Sequence, residues 1–228
     1  MNPPCRMHRD CAQSAPPNLT KSAPPFTLLW ELSMHMREEL QQLILIARDA
    51  LKEEDRRILS GIAANPTAYP DGNGGILRFN NERYYQFIVA RALITSSFPL
   101  AVTVETDYHD LVLYDPKSAA NGFAAIEMKR WMSENGKKEI LNIKTDLDKL
   151  RRCKKEHALM LIFSAQPKTV APSKDDNLKW LSEQLGVSDA AGCSAWKTYS
   201  FTTKNEQGGE FEFWVAGLEV DCSRSTSA

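Results

Sequence analysis

Asp110, Glu127 and Lys129 are the residues whose types and spacing could do chemistry together. Asp110 opens the apolar run Asp110 to Asp115, and Glu127 and Lys129 end a second run that starts at Phe123. Both runs read as short β-strands, and the Pro-Lys-Ser-Ala-Ala-Asn-Gly between them is rich in turn formers. With Asp115 facing Gly122, antiparallel pairing sets Val112 against Ala125, Leu111 against Ile126 and Asp110 against Glu127. Opposed residues share a face, as do residues two apart on one strand, so Asp110, Glu127 and Lys129 should converge. Like charges placed in this way repel, and burying them is costly unless something compensates. A divalent cation would compensate. Mg²⁺ takes one or two carboxylates and leaves its other positions to water and phosphate. A neighbouring lysine could then contact phosphate, steer the attacking water or steady developing charge. Those are the parts of metal-assisted phosphodiester hydrolysis.

An Asp opening one strand, a loop, then Glu-x-Lys after an apolar run resembles the PD-(D/E)XK nuclease superfamily. Asp110 matches the first acid, Glu127 the second and Lys129 the lysine, while His109 stands where the family name has proline. The order helix, strand, strand with Glu-x-Lys, basic helix, strand runs from about Asn80 to Ala165 and gives the short motif its context. The resemblance implies an α/β fold with a restriction-endonuclease-like mixed β-sheet core flanked by helices. A helix before the core sheet offers a Glu to the metal site in many such nucleases, and Glu82 is the match. By the same resemblance Asp110, Glu127, Glu82 and the backbone carbonyl of Met128 would hold Mg²⁺, with Mn²⁺ able to substitute. Gln86, one helical turn from Glu82, and His109 would be supporting neighbours.

The elements that must position these residues are legible as patterns. The composition is that of an ordinary globular chain of 228 residues, 43% hydrophobic and 25% charged. No apolar run approaches the roughly 18 residues of a membrane span, and no signal-peptide core is present. Five scattered cysteines without a CxxC pair argue for reduced thiols and a cytoplasmic location, against a disulfide scaffold or a zinc cluster. Residues 1–26 read as a disordered tail, with Met34 or Met36 as an alternative start. Residues 27–75 read as a helical extension and loop, expected as a helical pair with a break near Asp55. Its glycine-rich end, Pro70 to Gly75, reads as a flexible connection. The nuclease-like domain is expected over 76–220. Within it come a buried helix from Asn81, a strand at Leu100 to Glu105, the motif hairpin, an apolar strand at His157 to Phe163, a helix at Asn177 to Leu185 and a C-terminal β-hairpin. Residues 221–228 read as a second disordered tail.

Net charge is −1, so any nucleic-acid contact must come from a local patch. After Lys129 the chain becomes basic, and Arg130, Lys137, Lys138, Lys144, Lys149 and Arg152 lie on or beside an amphipathic helix. That face is expected to hold phosphate backbone, giving affinity without sequence choice. The function expected is a Mg²⁺-dependent nuclease, with DNA favoured over RNA as partner and no membrane association. By resemblance a restriction, phage-defence or mobile-element role follows, as a homodimer or a subunit of a larger defence complex. Two other readings are a nuclease-like fold kept as a binding or regulatory module without catalysis, and a protein whose N-terminal helices dock a partner.

Overall fold

The computed structural model describes residues 36–68, 74–79, 81–117, 122–132, 137–169, 172–187 and 195–222. Both expected tails lie outside these residues, apart from Asp221 and Cys222, as does most of the glycine-rich segment.

Helix α1 (Glu38–Ala64) leads by way of two 3-10 turns to α2 (Glu82–Thr95). Strands β1 (Ala101–Thr106), β2 (His109–Tyr114) and β3 (Ala124–Arg130) follow, then α3 (Lys137–Arg151) and β4 (His157–Pro167). Helix α4 (Lys174–Leu185) and the hairpin β5 (Lys197–Lys204) and β6 (Glu210–Glu219) complete the order. The strands form one mixed sheet in the order β1-β2-β3-β4-β6-β5. Among the described strands only β3 and β4 run parallel, and the connection between them carries α3, as a parallel pair requires. The fold class is α/β: among the described residues, a six-stranded mixed sheet flanked by four helices.

Alternation along the central strands splits the core into two layers. Leu159, Leu161 and Phe163 of β4 join Leu111, Leu113, Ile126 and Met128 against α1 and α2. Ala158, Met160 and Ile162 face the other way and join Ile143, Leu147, Leu178 and Leu181 of α3 and α4. A sheet covered on both faces explains why β4 reads as a continuous apolar run. Trp131 is buried in the second layer, stacked on Trp180 with ring centroids 6.0 Å apart.

One expectation is overturned in α1. The stretch expected as a helical pair is a single helix of 27 residues. Asp55 does not begin a second helix. It continues the buried stripe of Leu40, Leu43, Ile44, Ala47 and Leu51. Its Oδ1 accepts the Ile76 N–H at 2.8 Å and the Thr203 hydroxyl at 2.5 Å, which satisfies a polar group that burial would otherwise penalise. The stripe is used within the chain. Ile44 lies so close to Gly217 of β6 that a Cβ there would come within 2.3 Å of its Cδ1.

Candidate active site

The site begins where a ladder ends. Pairing of β2 with β3 follows the expected register, Leu113–Ala124, Val112–Ala125 and Leu111–Ile126, and then stops. Strand β3 continues to Arg130, held on its other edge by β4. Its free edge beyond Ile126 leaves backbone groups that must find partners. Side chains supply them. Asp110 Oδ2 accepts the Met128 N–H at 2.7 Å, and Glu82 Oε2 accepts the Arg130 N–H at 3.1 Å. Gln86 Nε2 donates to the Met128 carbonyl at 3.4 Å. Glu82 and Gln86 reach the strand from the first turns of α2, whose start is fixed by Asn81 Oδ1 accepting the Arg83 N–H.

Glu127 is 2% exposed and points into the layer under α3. Its Oε1 lies 2.7 Å from His109 Nδ1 and 2.5 Å from Lys149 Nζ. The expected opposition of Asp110 and Glu127 therefore gives way to a different pairing. Past the end of the ladder His109 takes the contact with Glu127, while Asp110 turns to the β3 edge. Lys129 Nζ sits between Glu82 Oε1 at 3.2 Å and Asp146 Oδ2 at 2.9 Å. Asp146 lies three residues before Lys149 on α3, and its approach to Lys129 depends on how that helix is rotated against the sheet, which the sequence pattern does not specify.

The electrostatics bind these groups into one cluster. Asp110 is pushed up to about 6, first by burial, with the Glu127 and Glu82 charges adding, against the Met128 N–H and Lys129. Burial alone would lower Lys129, but its hydrogen bond to Asp146 and the Glu82 charge hold it above the ordinary lysine value. The lysine stays protonated. Asp110 also lines a cleft of about 410 Å³ with Gln86, Phe87, Leu111 and Met128.

The basic residues divide. Lys138, Lys144 and Arg152 are exposed along the outer side of α3 and its end. Lys149, expected to face nucleic acid, is drawn inward to Glu127, because a buried carboxylate needs a counter-charge. Arg130 is half-buried, 3.6 Å from Glu139 Oε1. The side chain of Lys137 lies outside the described residues. Glu105 and Asp107 pair with Arg83 and Lys155 on the surface.

No family model matches the chain, no curated protein matches its sequence, and no solved structure matches its fold. Among the described residues no three or more His, Cys, Asp or Glu side chains form a ready-made metal cage. The donors around the β3 edge are nonetheless all oxygens, carboxylates and one carbonyl, and they suit a hard divalent cation. Burial first, and then the Glu127 and Glu82 charges, raise Asp110 to about 6, and a cation beside the carboxylate would favour its charged form. Among the described residues no helix is long and apolar enough to cross a membrane.

Proposed function

We propose that the protein is a Mg²⁺-dependent nuclease that hydrolyses phosphodiester bonds in DNA, built on a restriction-endonuclease-like core. The observation that carries this reading is the free edge of β3 past Ile126. Asp110, Glu82 and Gln86 converge there on the Met128 and Arg130 backbone, with Lys129 and Glu127 from the same strand beside them. The strand order of the antiparallel β1-β2-β3 followed by a helix and a parallel β4 supports it further.

Asp110, Glu127, Glu82 and the Met128 carbonyl are the oxygens that would hold the cation. When bound, Mg²⁺ or Mn²⁺ supplies Lewis-acid polarisation of the phosphoryl oxygen and a water of lowered pKa. The chain's own residues do the remainder. Lys129, kept charged by Asp146 and Glu82, donates to a phosphate oxygen and stabilises the negative charge that develops on it. His109 and Lys149 fix the Glu127 carboxylate in one orientation. Lys138, Lys144 and Arg152 give the phosphate backbone a sequence-independent hold. Incubating the full chain with duplex DNA and with RNA of matched sequence, beside Glu127→Gln, tests the reading. Metal-dependent cleavage of DNA that vanishes in the variant supports it, and equal cleavage by both chains contradicts it.

One observation favours a second reading, a binding or regulatory module without catalysis. The Glu127 carboxylate already has a cation and a histidine as partners. In that case EDTA and Glu127→Gln leave nucleic-acid binding unchanged and no cleavage is seen.

A further inference from the structure

Two thiols meet at the turn between α3 and β4. Cys153 follows α3 directly and closes its last turn, its N–H donating to the Leu150 carbonyl at 3.0 Å. Cys222 lies just past β6, where the Val220 N–H still donates to the Ala158 carbonyl at 2.9 Å. The sulfurs of these residues, 69 positions apart in sequence, are 3.2 Å from each other, and both are free thiols. A disulfide bond is about 2.05 Å long, so an approach of about an ångström closes it.

Their surroundings make the pair unequal. Cys153 is pulled well below the usual thiol range by the Cys222 hydrogen bond, against burial, with the Lys155 N–H and the His109 and Lys155 charges adding. The same contact and burial push Cys222 far up. Lys155 belongs to the same turn, and its Nζ grips Asp107 Oδ2 at 2.7 Å. A positive charge in the neighbourhood favours the thiolate form.

We infer that Cys153 and Cys222 form a redox-active dithiol that a peroxide closes to a disulfide and a small thiol reopens. The Cys153 thiolate attacks one peroxide oxygen, the O–O bond breaks, and hydroxide leaves to become water. Cys222 then gives up its proton and attacks the sulfenic sulfur, displacing the second oxygen as water. The two thiols are oxidised and the peroxide is reduced to two waters. The bond ties the exit of β6 to the end of α3, one helical turn beyond the Lys149 that holds Glu127. It does not depend on the nuclease reading.

The test uses the full chain carrying Cys5→Ser, Cys11→Ser and Cys193→Ser, so that only this pair remains. Hydrogen peroxide should remove both alkylatable thiols without cross-linking chains. It should also raise Tm by several degrees, since a long loop is closed. Dithiothreitol should reverse both changes, and adding Cys222→Ser should abolish the rise. Should the triple variant fail to fold, peptide mapping of the natural sequence under non-reducing conditions must recover a Cys153–Cys222 cross-link. Two thiols still alkylating after peroxide, or a cross-link found only between chains, overturns the inference.

Discussion

His109 Nδ1 lies 2.7 Å from Glu127 Oε1, although strict alternation from the Leu111–Ile126 pair would put these side chains on opposite faces of the sheet. The contact lies past the end of the β2–β3 ladder, where β2 stays paired to β1 only through Thr106–His109 and Glu105, opposite Asp110, takes a left-handed backbone. Lys149 completes the arrangement from α3. Removing Lys149 leaves a buried carboxylate with one partner instead of two. Lys149→Ala should cost about 3 kcal/mol of stability, and Lys149→Ala with Glu127→Gln should recover most of it. Urea denaturation of the three chains checks this.

The raised Asp110 carboxyl sets a pH dependence whose sign is fixed. A folded value above the unfolded one means that the native state binds the proton more tightly, so stability from this group is present at low pH. It is lost as pH rises from about 4 to about 6 and stays lost above. Asp110→Asn should therefore be more stable than the natural chain at pH 8, by about 2 kcal/mol after allowance for partial exposure, and equal to it at pH 4. Melting curves across that range give the answer. An Asp110→Asn chain that is less stable at pH 8 contradicts the assignment of strain to this carboxylate.

Mg²⁺ should raise Tm at pH 8, with Mn²⁺ doing the same, and lose its effect near pH 5 as Asp110 takes up its proton. Asp110→Asn should show no metal-induced shift at any pH.

Much of this was legible in the sequence, and the part that was not has a physical cause. The register Leu111–Ile126 follows from the hairpin loop alone, and the unbroken apolar run of β4 marks a doubly covered strand. Alternation fails at His109 because β2–β3 pairing ends at Leu111–Ile126 and the β1–β2 ladder is interrupted opposite Asp110, where Glu105 has a positive φ. Asp146 and the inward role of Lys149 depend on how α3 rotates against the sheet, which an amphipathic pattern fixes only to within a face. The unbroken α1 was missed because Asp55 looked like a helix start, when its partners Ile76 and Thr203 are distant in sequence.

The basic outer side of α3 makes a separate claim. Lys138→Ala, Lys144→Ala and Arg152→Ala should weaken DNA binding to a similar degree for unrelated sequences. Each should also reduce the magnitude of the log K against log salt slope by about 1. Fluorescence anisotropy over a salt series, in Ca²⁺ to suppress cleavage, measures both. A variant that loses affinity for one sequence only contradicts a backbone role.

Asp146→Asn should slow cleavage by about tenfold without unfolding the chain, because Lys129 keeps Glu82 as its second partner. Its rate against pH should bend at lower pH than that of the natural chain, since Lys129 would lose part of what holds its proton.

The most direct test of the central claim is incubation of the full chain and of Lys129→Ala with supercoiled plasmid, in Mg²⁺, in Mn²⁺ and in EDTA. Nicked or linear product is expected with either metal, none in EDTA, and none from Lys129→Ala, which should still bind the plasmid. Cutting that persists in Lys129→Ala, or no cutting of any nucleic acid together with no metal-induced change in Tm, contradicts it.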